Sequence, residues 1–212
     1  MNNKSKNLPE VERRYVQHIV RSQRADGDGA GLAVIEGIAA MVNNVTIIGS
    51  YDPWEEEIAA GAFDNVLMDD VRCLFNHDPN HILARCVEGK GTLQLFLTPE
   101  GHLGYRYTTP DRSFARDLQD AIDKGDVNQS SFSFSIAEQK WLWGDAQQGT
   151  RDRRTILKLA KLYDVSPVTF PAYPDTTVGK RSRDEARESE RTAEVPNYEL
   201  EVKLLNLKSK SV

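Results

Sequence analysis

Residues 130–136 read SSFSFSI. Side chains alternate across a strand with a period of two. Phe132, Phe134 and Ile136 therefore share one face, and Ser131, Ser133 and Ser135 share the other. Ser130 has the parity of the phenylalanines. Such a stretch predicts a strand with an apolar and a polar face, extended by Trp141 and Trp143. Immediately upstream, residues 114–124 read FARDLQDAIDK and place Phe114, Leu118 and Ile122 four apart. That spacing predicts an amphipathic helix, with Ser113 as its N-cap and Gly125 as its stop. Downstream, beyond a polar loop at 145–153, residues 155–169 read TILKLAKLYDVSPVT. They predict two joined strands or one interrupted strand, with Pro167 at an edge or an end.

The flanking segments are also rich in strands. Residues 71–76, VRCLFN, form a short apolar strand that delivers His77, and Asp78-Pro79-Asn80 is expected to turn the chain. Leu93, Leu95 and Leu97 alternate, and 103–108 reads as the return strand of a hairpin about Pro99-Glu100-Gly101. Residues 32–42 are β-rich, with Gly37 as a bulge or bend. Residues 10–21 are ambiguous between a strand and a short helix. In 54–68, WEEEIAAGAFDNVLM, the leading acids suit the positive end of a helix, so short helical pieces are expected, broken at Gly61. Residues 25–31 are a glycine- and aspartate-rich loop, and 171–176 are extended.

These segments suggest a domain over residues 10–178, preceded by a flexible leader at 1–9. After 178 the composition shifts to GKRSRDEARESERT, charged almost throughout, which predicts a disordered tail. An apolar cluster at Val202, Leu204, Leu205 and Leu207 makes its end a docking segment or a short helix.

Composition narrows the function classes. The chain has 212 residues and a formal net charge of −5, which argues against binding nucleic acid by phosphate neutralisation. No apolar run approaches the roughly 20 residues that span a bilayer, and the first ten residues carry no secretory signal. Cys73 and Cys86 are expected as buried thiols in a reducing cytosol.

Three features could carry chemistry. His77 could act as a general base, or be a turn histidine bonded to backbone. The serines could supply a nucleophile, which needs a base in reach, or simply form a wet sheet face. Asp164 lies in an apolar strand and needs a partner, either a histidine or an arginine such as Arg153 or Arg154. His77 and His81 stand four apart, but the intervening proline segment opposes the helix a zinc pair would need. No metal site, phosphate loop or dinucleotide fingerprint is expected.

Taken in order, the words VIEGIAAMV, EEEIAAGAFDNVL, DVRCLFNHD, LAR, GTLQLFLTPEGHLGY, DLQDAIDKGDV, SSFSFS and LYDVSPVTFPAYPDT resemble the prohead (capsid-maturation) serine proteases of tailed phages. The resemblance covers roughly residues 32–178. It implies an α+β fold with a mainly antiparallel β-barrel core and surrounding helices, like the herpesvirus assemblins. It implies a serine endopeptidase working inside the assembling procapsid in the host cytoplasm. Its substrates would be the scaffold, or the scaffolding segment of the major capsid protein, and usually the protease itself. His77 would be the base, Ser131 the nucleophile and Asp164 the third member, without metal or cofactor. A homodimer is a further implied partner; nucleic acid and membrane are not. Ser130 stays an alternative nucleophile.

The chain departs from that pattern at Ser133 and Ala84, where many relatives have glycine, and at Asp164, where many have glutamate. A different reading is a non-catalytic capsid-assembly or scaffold protein that keeps the fold. The tail could recruit the enzyme and then be clipped.

Overall fold

The computed structural model describes residues 10–17, 20–23, 32–145, 147–170 and 177–194. The leader at 1–9, the loop at 25–31, the segment at 171–176 and the apolar cluster at 202–207 lie outside the described residues. The chain divides into two compact units, Met1–Val178 and Gly179–Val212.

The first unit is mostly β. Its strands are β1 (Glu12–Val16), β2 (Val20–Gln23), β3 (Val34–Ala40), β4 (Thr46–Ile48), β5 (Trp54–Ile58), β6 (Val71–Phe75), β7 (Asp78–Val87), β8 (Lys90–Gly91), β9 (Leu93–Leu97) and β10 (Leu103–Thr108). After helix α1 (Ser113–Lys124) come the long strands β11 (Gln129–Leu142) and β12 (Arg153–Val168). Among the described residues they form two open sheets. One runs β1-β11-β12-β6-β7-β8, with β5 also on β12 and β4 on β5; the other runs β2-β3-β10-β9. The pairings of β12 with β5 and with β6 are parallel.

Among the described residues no closed barrel forms, contrary to what the resemblance implied. Closure needs an unbroken ladder around the axis, and among these residues no ladder joins the edge strands of one sheet to those of the other. Instead the apolar faces share a core that includes Ile35, Tyr105, Leu118, Phe132, Phe134, Leu159 and Leu162.

Residues 54–58 are a strand and not the start of a helix. Trp54, Glu56 and Ile58 are the buried alternate positions, and the parallel ladder with β12 fixes them. Residues 60–68 continue as turns. Gly37 holds a regular register opposite Tyr105, and a Cβ there would lie 2.5 Å from the tyrosine ring. It is therefore a close-approach glycine and not a bulge. The amphipathic helix, its left-handed Gly125 stop and the β9–β10 hairpin are as expected. The N-cap is Arg112, without a side-chain bond, in place of Ser113. Residues 155–168 belong to one continuous strand.

Part of the charged tail is ordered: Thr177–Glu194 forms helix α2. Opposite charges three or four residues apart, such as Arg181 and Glu185, Asp184 and Arg187, or Glu188 and Arg191, support this helix. Composition alone hides that spacing. No described helix is long and apolar enough to cross a membrane.

Candidate active site

The site begins with a tight turn. Phe75 pairs with Asp78, which leaves Asn76 and His77 as a two-residue loop between β6 and β7. Both have positive φ, 54° and 59°. That is the requirement of a type I′ hairpin turn, and asparagine suits it. Histidine is among the non-glycine residues enriched in this region, and the conformation still costs strain that the surrounding structure must hold. The turn therefore falls at Asn76-His77 and not at Asp78-Pro79-Asn80, which begin β7. Its tip is fastened to the end of β12. The Asn76 N–H donates to the Pro167 carbonyl at 3.1 Å, and Asn76 Oδ1 accepts from the Thr169 N–H at 2.9 Å.

The ladder of β11 with β12 supplies the rest. Ser131 stands opposite Ser166 and Ser133 opposite Asp164. The first register shift comes only after Ser133, so the ladder is regular where it carries these side chains. His77 reaches both strands. Its Nδ1 lies 2.5 Å from Asp164 Oδ1, and its Nε2 lies 2.7 Å from Ser131 Oγ. The shorter reach of aspartate, compared with glutamate, is thus sufficient. Ser166 Oγ donates to Asp164 Oδ1 at 2.8 Å, and Ser133 Oγ lies 3.2 Å from His77 Nδ1.

The cluster is buried: the His77 and Asp164 side chains are 8% and 9% exposed, and Ser131 has no exposed surface. Burial pushes the Asp164 carboxyl up. The hydrogen bond and charge of His77, with bonds from Ser133 and Ser166, more than reverse this, so it titrates below the usual carboxylate range. An ionised Asp164 at this distance places the imidazole proton on Nδ1 and leaves the Nε2 lone pair facing Ser131. Ser131 has a second acceptor, the Arg14 carbonyl on β1, at 2.8 Å.

Arg14 leads to a second buried cluster. Its guanidinium donates to Glu56 at 2.5 and 2.8 Å and to Glu12 at 2.7 Å. Arg154 donates to Glu12 at 2.8 and 2.9 Å, to Glu56 at 3.1 Å and to Gln139 at 2.6 Å. Two acids and two guanidiniums therefore cancel. Burial pushes the Glu12 carboxyl up, and its bonds and charges from Arg154 and Arg14 bring it below the usual range.

Other candidates are used elsewhere. Ser130 Oγ bonds the Tyr105 hydroxyl at 2.6 Å. His81 bonds Asp78 at 2.8 Å and packs edge-on against Phe114. Arg153 bonds Glu57. Cys73 and Cys86 are free and buried, and burial, then the Asp164 charge, raises the Cys73 thiol well above its ordinary range. The residues that sequence reasoning missed are Asn76, Ser166, Glu12, Arg14, Glu56 and the role of Arg154. Ser166 had a signal, because it lies two residues from Asp164 and shares its face.

Among known protein families, the one described as caudovirus prohead serine protease matches residues 19–190. No match was found among curated proteins or among solved structures. The match covers most of the 212-residue chain, and the protein belongs to this family of serine peptidases.

Proposed function

We propose that this family member is a serine endopeptidase of capsid maturation in which Ser131 is the nucleophile, His77 the general base and Asp164 the orienting carboxylate. The observation that carries the reading is the unbroken chain from Asp164 Oδ1 through both ring nitrogens of His77 to Ser131 Oγ, at 2.5 and 2.7 Å. In such a triad His77 takes the hydroxyl proton as Oγ attacks the scissile carbonyl, and then returns it to the leaving amine. Asp164 holds the tautomer and stabilises the imidazolium. Water then releases the acyl group, with His77 again as base. Asn76 and Ser166 are positioning residues, because one fixes the turn and the other the carboxylate.

The substrates in this reading are the scaffold or the scaffolding segment of the major capsid protein, inside the procapsid, and the protease itself. Residues 10–178 are the catalytic unit and 179–212 a recruitment segment. The test compares wild type with Ser131→Ala by intact mass after incubation with the matching capsid and scaffold proteins. New termini from wild type alone support the reading. Equal cleavage by both would overturn the assignment of Ser131.

A further inference from the structure

The nucleophile of the preceding reading, on which this inference rests, is sealed from solvent. Strand β1 forms part of the seal. Tyr15 stands opposite Ser131 in the ladder, and the Arg14 carbonyl accepts the Ser131 hydroxyl. One hydroxyl proton cannot serve two acceptors, so this bond competes with the one to His77 Nε2. Among the described residues β1 is also an edge strand, and it lies before residue 19, where the family match begins. With β1 undocked, β11 becomes the edge and carries Ser131 on it. Extended peptides add to such edges through main-chain bonds, with side-chain pockets giving specificity.

The charges beside Ser131 fit this exchange. β1 supplies Glu12 and Arg14; the body of the domain supplies Glu56 and Arg154. If β1 leaves, it takes Glu12 and Arg14 out of this cluster, together with Arg13, whose guanidinium donates to Ser133 Oγ at 3.2 Å, and Glu56 and Arg154 remain 3.1 Å apart as a balanced pair. An empty groove thus keeps a carboxylate and a guanidinium ready for a strand of the same pattern. A cavity of about 300 Å³ lies alongside β1, lined by Tyr15, Val16, Ile48, Ile58 and Phe132 among others. It gives space for side chains that follow the position of Arg14.

We propose that β1 is an internal occupant of the substrate groove. The groove takes an extended peptide with arginine immediately before the scissile bond and an acidic residue two positions earlier. Glu56 reads the arginine as a two-bonded fork, a geometry that lysine cannot reproduce. Arg154 reads the acid. In the reaction, Ser131 Oγ bonds to the arginine carbonyl carbon and its proton passes to His77. The C–N bond to the next residue breaks, the amine takes that proton, and water frees the carboxylate.

The test uses the full chain and a synthetic peptide of residues 10–17, EVERRYVQ, with variants at Arg14. Two readouts separate the groove from the chemistry. In hydrogen exchange, excess peptide should displace β1 and speed exchange across residues 12–16, whereas the Arg14→Gln peptide should not. This readout needs no catalysis, and absence of displacement overturns the inference even if the protein cleaves other substrates.

In cleavage, hydrolysis after arginine should depend on Ser131 and fall about 100-fold for the glutamine peptide. That preference should collapse in Glu56→Gln. Should Glu56→Gln fail to fold, the peptide series on wild type decides. Ser131-dependent cleavage with no preference at that position overturns the groove specificity and leaves the protease reading intact. Cleavage indifferent to Ser131→Ala overturns the assignment of Ser131 as nucleophile, while the exchange result still decides whether β1 occupies a peptide groove.

Discussion

With a single oxygen, Ser131 touches two buried polar clusters. His77, Asp164, Ser133 and Ser166 form the first; Glu12, Arg14, Glu56 and Arg154 form the second. The first surrounds one carboxylate with hydroxyls and an imidazole from the body of the domain, and β1 adds to it one side-chain bond, from Arg13 Nε to Ser133 Oγ at 3.2 Å. The second consists of full charges that cancel in pairs, and half of them arrive on one short edge strand. Burying ions costs several kcal/mol each unless they are paired. The second cluster is arranged so that pairing survives the loss of β1. Fixed geometry belongs to the first and exchangeable geometry to the second.

The comparison breaks most sharply in activity. Ser131→Ala should cost about a million-fold in turnover, as should His77→Ala, and Asp164→Asn about ten thousand-fold. Peptide cleavage with the folded fraction measured in parallel would check this. Ser130→Ala should leave the rate within a few fold, although it strands the buried Tyr105 hydroxyl and costs about 1–3 kcal/mol of stability. A Ser130 variant as inactive as Ser131→Ala would move the nucleophile to the other face of the strand.

Stability sharpens the comparison next. Arg154→Met leaves Glu12 and Glu56 with one guanidinium between them, and breaking such a buried network costs about 3–5 kcal/mol. Arg14→Met creates the same imbalance. The double variant Glu12→Gln/Arg14→Met restores neutrality and should therefore unfold at higher urea than Arg14→Met alone. Simple addition of two losses predicts the reverse, so the urea midpoints distinguish paired cancellation from independent contacts.

How far this was legible from sequence differs between the clusters. Alternation revealed β11, and residue order revealed the resemblance that pointed to His77, Ser131 and Asp164. The turn was placed two residues late, because Asp78-Pro79-Asn80 carries stronger turn residues than Asn76-His77. Only the pairing of Phe75 with Asp78 forces positive φ on His77. Residues 54–58 misled for a related reason. Acids before an alanine stretch look like a helix start, and Glu56 is buried only because Arg14 and Arg154 meet it from distant segments. A buried charge looks exposed until its partners are known. The barrel was inferred from kinship, and no local pattern reports whether sheet edges join.

Acid separates the clusters less strongly. Asp164 and Glu12 both titrate below their ordinary range in the folded protein. A lowered folded pKa gives stability that is complete above the unfolded value and is lost as pH falls toward the folded one. Unfolding free energy should therefore decline as pH drops below about 4.5 and continue declining through the ordinary aspartate value. In Glu12→Gln/Arg14→Met the decline should be shallower, with the Asp164 share remaining. An unchanged slope in denaturation series across this range would show that Glu12 gains nothing from its guanidiniums.

The smallest effect concerns the fastening of the turn that presents His77. Asn76 has φ 54°, is exposed, and bonds the backbone N–H of Thr169 at 2.9 Å. Asn76→Gly keeps the backbone region and removes the side-chain bond, a loss of about 0.5–1.5 kcal/mol. Asn76→Ala loses the bond and also meets the left-handed penalty of about 1–2 kcal/mol. If the role is positioning, both should lower turnover more than they raise KM, because the imidazole shifts relative to Ser131 while the peptide groove is untouched. Glycine should retain more activity than alanine. A variant pair with equal turnover but different stability would show that the backbone of the β6–β7 hairpin, and not its tie to β12, fixes the imidazole.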